Sequence, residues 1–374
     1  MNQLFDNEVS AFPTTYSEIL YRMKRVQPIK YGKTRNFING AVTYLSPYIS
    51  RGVISTAQVF EWVKEETPYS LSSMEKFIQE LAWRDYWQQV WRAKGDLINS
   101  DLKHTQVPIR NTAMPLAVDQ ANTGITAIDR GIEKLYQSGY MHNHLRMYTA
   151  AICCNVGQSH WKTPARWMYY HLLDADWASN ALSWQWVAGA NSNKKYYANQ
   201  ENINRYCFTD QRGSFLDVGY EAFAQMPVPS ELQEATQPDM TTSLPEAEAP
   251  DINQNLPTFL YNFYNLDPQW SAEVKANRVL LLEPSHFEKY PISPKTMEFI
   301  LDLSQNIKGI QLFVGEFSGF KTAFPSTAIH YKEHPLNKHY EGYEEARDWM
   351  FSVEGDFRSF FAFWKKCKKE LKGA

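Results

Sequence analysis

The sequence predicts a mainly α protein: an all-helical domain, then an acidic linker, then a small α/β domain. Three observations predict it. Residues 1–225 hold several segments whose apolar residues recur three or four positions apart. Residues 226–257 are rich in Pro and acidic residues and contain no Lys or Arg, the composition of an extended, solvated linker. Residues 258–374 carry two apolar runs of strand length on either side of a helical pattern. At 374 residues, 44% apolar and 21% charged, the chain has the composition of a globular protein rather than a disordered one.

The elements follow in order. The spacing predicts helices over Val53–Glu66 and Ser73–Ala93, with Ser55 and Ser72 or Ser73 as N-caps. It predicts further helices over Ile125–Gln137, Tyr140–Val156, Pro164–Leu173 and Asp176–Ala188. Beyond the linker, Arg278–Glu283 and Ile310–Val314 read as buried strands. They flank a helix over Ser293–Gln305, whose Pro294 suits the first turn. An amphipathic helix over Phe357–Leu371 closes the pattern.

Charge and composition exclude several functions. No apolar run is long enough to span a bilayer, and residues 1–10 lack the features of a signal peptide, so a cytoplasmic protein without a membrane partner is expected. The four cysteines show no CxxC pair and no His-interleaved spacing, so no metal site is expected. The net charge of −3 argues against nucleic acid. The average conceals an asymmetry, however. Residues 1–215 hold 23 basic and 18 acidic residues and nine of the twelve tryptophans, whereas the remainder holds 15 basic and 23 acidic. Polyanion binding is therefore compatible with the first part only.

Chemistry concentrates on four stretches. Glu80, Trp83, Arg84, Trp87 and Trp91 share one helical face. A stripe mixing charges with tryptophans suits the wall of a cavity for a flat, polar aromatic ligand, or a core helix whose charges snorkel outward. Asn143, Arg146 and Met147 share another face, while His142 and His144 diverge, against a metal pair. In Asp174–Gly189, Asp176, Asn180 and Trp184 recur every four positions, able to hold the polar edge of a redox ring beside an aromatic electron donor. The hydroxyl-rich segment Tyr31–Ser55 precedes a helix and suits a pyrophosphate, without a Walker or GxGxxG pattern.

Together these blocks resemble the FAD-binding helical domain of the photolyase/cryptochrome family. The motifs are Tyr31 with Arg35; Val42-Thr43-Tyr44-Leu45-Ser46-Pro47-Tyr48 with Gly52; Glu80-Leu81 with Trp83-Arg84-Asp85; Met141-His142-Asn143 with Leu145-Arg146-Met147; and Asp174, Asp176, Asn180 with Trp184-Gln185-Trp186. They occur in the family's order over about residues 15–210.

The resemblance implies FAD as cofactor, held by Tyr31, Thr43, Leu45, Ser46, Arg146, Asp174, Asp176 and Asn180. It implies DNA containing pyrimidine dimers as partner, contacted by Glu80, Trp83, Arg84, Asn143 and Met147. It gives Glu80, Trp83 and Asn180 catalytic positions, with Trp184 and Trp161 as electron carriers. Asn at 180 matches photolyases, and Asn at 143 favours cyclobutane dimers. The implied activity is light-driven dimer repair by a monomer acting through reduced FAD; the alternative is a cryptochrome-like blue-light photoreceptor without repair. The family usually has an α/β antenna domain ahead of this region, which is not expected here. The α/β segment at 258–374 shows no recognised chromophore motif and reads as either a relic or a relocated antenna-like domain.

Overall fold

The computed structural model describes residues 12–373. After short helices at Tyr16–Lys24, Pro28–Thr34 and Ser46–Ser50, the principal helices are α1 (Thr56–Glu66), α2 (Glu75–Lys94), α3 (Thr126–Ser138), α4 (Asn143–Ala151), α5 (Lys162–His171), α6 (Trp177–Ala188) and α7 (Gln200–Cys207). Then come β1 (Thr258–Tyr261), β2 (Asn277–Leu282), α8 (Pro294–Ser304), β3 (Ile310–Val314), β4 (Ile329–Lys332), β5 (Tyr343–Glu345) and α9 (Phe360–Gly373).

Local chemistry explains the ends. Ser55 caps α1: its hydroxyl accepts from the Gln58 N–H, and the Gln58 side chain accepts from the Ser55 N–H, a reciprocal capping box. The other expected serine caps are absent from α2, which starts after Met74. The Ser73 hydroxyl instead donates to the Ser70 carbonyl at 2.7 Å, turning the chain before the helix begins. The helix expected through Val156 is α4 followed by a wider π-helical turn at Ile152–Val156. There the Gly157 N–H reaches back to Ile152 O at 2.8 Å, and Asn155 Nδ2 donates to the carbonyls of Val187 and Tyr196.

The contacts divide the described chain into two compact units that do not follow the expected boundaries at 225 and 257. The first gathers Phe12, Lys30–Val42 and Asp96–Met240; the second gathers Pro13–Ile29, Thr43–Gly95 and Thr241 onward. Part of the expected linker is built into the first unit: Ala235–Thr236 pair antiparallel with Met114–Pro115, and the Leu116 N–H donates to Glu234 O at 2.9 Å. Conversely, α1 and α2, expected in the helical domain, belong to the unit that holds the sheet. The composition of 226–257 signals exposure, but it does not reveal which residues the segment pairs with.

The first unit is helical. Its centre is α6, with buried Ala178, Ala181, Leu182, Trp184, Gln185 and Val187. Gln185 is fully buried and engaged at both ends of its amide, donating to Ile98 O at 2.8 Å and accepting from the Leu102 N–H at 3.1 Å.

The second unit holds a five-stranded parallel sheet of order β3-β2-β1-β4-β5. Successive strands run outward from β1 first to one side and then to the other, a doubly wound order. β1 and β2 are buried at every position, as expected of a parallel sheet covered on both faces. On one face Leu260, Val279, Leu281, Ile329 and Tyr331 pack with Phe317, Phe320 and Tyr340. The expected strands β2 and β3 are present within a residue of their predicted limits. β1, β4 and β5 were not legible, being three or four residues long, and β5 is largely exposed at the sheet edge.

Candidate functional site

In the first unit, helix α4 and the start of α6 carry most of the expected site residues. Asp174 is almost fully buried and takes a 2.9 Å hydrogen-bonded ion pair from Arg146 Nη2. Arg146 Nε donates to Met141 O at 2.8 Å, so the guanidinium is held from two sides. Asp176 is the N-cap of α6 and accepts from the Ser179 N–H at 2.6 Å. One turn on, Asn180 Nδ2 donates to Ala165 O at 2.7 Å, leaving Oδ1 as the acceptor end of the amide. Asn143 is exposed, and its Nδ2 approaches Met147 Sδ at 3.9 Å one turn along. The structure thus joins Arg146 to Asp174 and Asn143 to Met147.

His142 does the work of a cap, its Nδ1 accepting from the His144 N–H at 3.2 Å. Burial pushes its pKa down to about 4, with further lowering from His144 and Arg146. His144 is turned to Asn36 O at 2.7 Å. The two rings serve the backbone, and among the described residues no group of three or more His, Cys, Asp or Glu could hold a metal.

The expected electron carriers are both deeply buried. The Trp161 indole N–H donates to Asp101 Oδ1 at 2.7 Å, and its ring lies 6.5 Å from that of Trp177. Trp177 in turn meets Tyr169 edge-on at 5.5 Å. Among the described residues Trp161 has its aromatic neighbours in His160 and Trp177, not in Trp184. Trp177 enters the ring chain through the start of α6, and the aromatic content around Asp176 was the signal for it.

In the second unit, the loop before Ser46–Ser50 carries Thr43, Leu45 and Ser46. The Thr43 hydroxyl accepts from the Leu45 N–H at 3.3 Å, Leu45 is buried, and Ser46 opens the short helix. Between them Tyr44 has φ +55°, a left-handed conformation unusual for an aromatic residue.

Helix α2 differs from the expected cavity wall. Trp91 packs against Tyr264, Tyr290 and His334. Arg84 donates to Ser50 Oγ at 2.7 Å. Glu80 is partly exposed and paired with Lys76 at 2.9 Å. Trp83 has one face covered by Phe360 of α9, with ring centroids 3.7 Å apart and planes 9° from parallel. Asp85 is buried, and burial raises its pKa to about 6 despite bonds from Thr56 Oγ1 and the Met350 N–H. The aromatic run Phe360-Phe361-Ala362-Phe363-Trp364 was the available sign that α9 engages this face.

The comparisons bear on residues in both units. Residues 77–242 match the FAD-binding domain of DNA photolyase. The deoxyribodipyrimidine photo-lyase of Streptomyces griseus is 31% identical over 156 residues, 41% of this chain and 34% of that one. This part of the chain belongs to the photolyase/cryptochrome family. Among other family members, the photo-lyase of Alkalihalophilus pseudofirmus is 28% identical over 206 residues, 53% of this chain and 42% of its own. Cryptochrome-1 of Arabidopsis thaliana is 25% identical over 219 residues, 53% of this chain and 31% of its own. The Synechocystis cryptochrome crystal structure aligns with a TM-score of 0.49 and 24% identity, over 54% of this chain and 45% of that one. The chain spans 31–42% of the length of these curated relatives.

FAD is the cofactor of this family domain. The residues of the first unit fit it: a fixed cation–carboxylate pair in Arg146 and Asp174 and the carboxamide of Asn180, held through its Nδ2. Among the described residues no helix is long and apolar enough to cross a membrane.

Proposed function

We propose that this chain repairs pyrimidine dimers of the cyclobutane type in DNA, driven by light. When bound and reduced, FAD supplies the excited electron donor. The observation that carries this reading is the fixed amide of Asn180: its bond to Ala165 O holds a neutral acceptor at the position where the resemblance puts the residue beside the flavin. A neutral amide adds no charge there, whatever the flavin's redox state.

The remaining residues take positioning roles. Tyr31, Thr43, Leu45 and Ser46, with Arg146, Asp174 and Asp176, hold the cofactor. Asn143 and Met147, with Glu80, Trp83 and Arg84, contact the DNA. A lesion is already poorly stacked, so extruding it costs less than extruding a paired base. Trp161 and Trp184 carry electrons from the protein to the cofactor. The names of the curated relatives, most of them deoxyribodipyrimidine photo-lyases, support this reading.

The test is repair, under blue light, of an oligonucleotide carrying one cyclobutane thymine dimer by the reduced, FAD-loaded protein. Restoration of the two thymines is expected. Absence of repair at full FAD occupancy would sink the reading. It would leave the cryptochrome-like photoreceptor, a reading favoured by the covering of Trp83 by Phe360.

A further inference from the structure

The contact between Trp83 and Phe360 is unusual in kind. Aromatic pairs in proteins prefer offset or edge-to-face arrangements with centroids 4.5–7 Å apart, because two like quadrupoles repel when stacked face to face. The other neighbours of Trp83 obey this: Tyr86 lies edge-on at 5.7 Å and Trp87 tilted at 5.1 Å. Phe360 does not, lying parallel at 3.7 Å. That is the geometry of a stacked nucleobase. An electron-poor heterocycle would be better matched to the indole face than a phenyl ring of like quadrupole.

Phe360 is buried, at 2% exposure, but it sits at an end of its helix. It is the first residue of α9, and first turns fray readily. The preceding residues from Ser352 to Ser359 are mostly exposed and include Gly355 at φ +126°. The rest of α9 is held independently. Phe363 and Cys367 are buried, Lys368 pairs with Glu75 at 2.8 Å, and Glu370 accepts from the N–H and hydroxyl of Ser352. Displacing the Phe360 ring gives up its contacts with Tyr86 at 5.8 Å and Trp364 at 6.2 Å, while these anchors keep α9 docked.

We propose that the Phe360 face of Trp83 is a stacking site for a single unstacked pyrimidine base, and that Phe360 is its internal occupant, competing with that base. The inference rests on the reading that Trp83 faces DNA, and it adds a residue that sets the affinity threshold for entry. Fully stacked duplex cannot offer a base to displace Phe360; a single strand or a disrupted site can.

The probe is a short single-stranded oligothymidylate, its binding to the full FAD-loaded chain followed by fluorescence anisotropy. Phe360→Ala is expected to tighten binding about 2- to 12-fold, the equivalent of one released aromatic pair. The Trp83→Leu/Phe360→Ala double variant should lose that gain. If Phe360→Ala does not fold, Phe360→Leu keeps the apolar bulk without the ring and should tighten binding about twofold. Unchanged or weaker binding in a folded Phe360 variant overturns the proposal. If the wild type nevertheless repairs dimers and Trp83→Leu weakens lesion binding, the failure belongs to Phe360 alone. If Trp83→Leu changes no DNA binding in any background, the reading of Trp83 fails and takes the proposal with it.

Discussion

Arg146 donates to the buried carboxylate of Asp174 at 2.9 Å, joining α4 to the turn before α6. Asp174 is nearly sealed from water and Arg146 only one-fifth exposed, so the pair is a partly desolvated one. Removing the cation strands the anion. Arg146→Ala is therefore expected to cost about 2–4 kcal/mol, near the range for breaking a buried pair. The double variant with Asp174→Ala should cost less than the sum of the two singles. Urea unfolding checks both statements, and the FAD content of purified Arg146→Ala should fall in parallel.

The ring contact of Trp161 with Trp177 makes a prediction about electron supply. An oxidised indole carries positive charge, and Trp161 has the Asp101 carboxylate on its N–H at 2.7 Å, whereas Trp177 has the neutral Asn99 amide at 2.8 Å. A nearby anion stabilises the charged ring. Light-driven reduction of the bound flavin, followed by absorbance, should therefore slow in Trp161→Phe, Trp184→Phe and Asp101→Asn. Trp177→Phe should slow it too if electrons reach Trp161 along the ring contact. An unchanged rate in Trp177→Phe would place the route of electron entry elsewhere.

What could be read from the sequence, and what could not, follows from the range of the interactions. The Ser55 cap and Pro294 at the start of α8 are local and were legible. So was the α6 stripe, because helix period alone puts Asp176, Asn180 and Trp184 in line. The grouping of α1 and α2 with the sheet was not legible. It rests on contacts hundreds of residues apart, such as the Met350 N–H on Asp85 and Arg347 on Gln88. For the same reason α2 stayed open between a cavity wall and a core helix: its own residues do not reveal that Phe360 and His334 lie against Trp83 and Trp91.

Two histidines of the second unit set a pH dependence. His334 is 5% exposed and stacked on Tyr264 at 4.2 Å. Burial, with the cations of Arg347 and Arg51 nearby, holds its pKa well below the ordinary value. Burial likewise lowers His286 to about 3. Both stay neutral in the fold, while the unfolded chain takes up protons below about 6.5. The stability they give is present above that pH and falls as pH drops, by about 1.4 kcal/mol per pH unit per histidine. Asp85 acts oppositely: raised to about 6, it holds its proton more tightly in the fold, and its contribution is lost as pH rises from about 4 through 6. His334→Phe keeps the ring and removes one titration. Its unfolding free energy should change by at most about 1 kcal/mol at pH 8, the worth of the lost bond from the Leu336 N–H. Its decline between pH 6.5 and 5 should be shallower by about 1.4 kcal/mol per unit. An unaltered slope in urea titrations would show that His334 is charged in the fold.

Gly52 ties the segment after the Thr43–Ser46 loop to the turn that follows β1. Its φ is +63°, and a Cβ there would lie 2.3 Å from the Tyr264 carbonyl oxygen, a backbone atom with little room to yield. The adjoining Arg51 carbonyl accepts from the Leu266 N–H at 2.9 Å, and the Arg51 guanidinium lies 3.8 Å over the Phe263 ring. A side chain at 52 would therefore strain the backbone and separate two segments that Arg51 joins. The left-handed conformation alone costs about 1 kcal/mol in an L residue, and the displacement adds the loss of Arg51 packing. Gly52→Ala is expected to lower stability by about 3 kcal/mol or more, well above the roughly 1 kcal/mol expected for Ser55→Ala at the α1 cap. Thermal unfolding of the two variants side by side checks the order. A Gly52→Ala protein as stable as Ser55→Ala would mean that residues 262–266 can move away from Gly52 without loss.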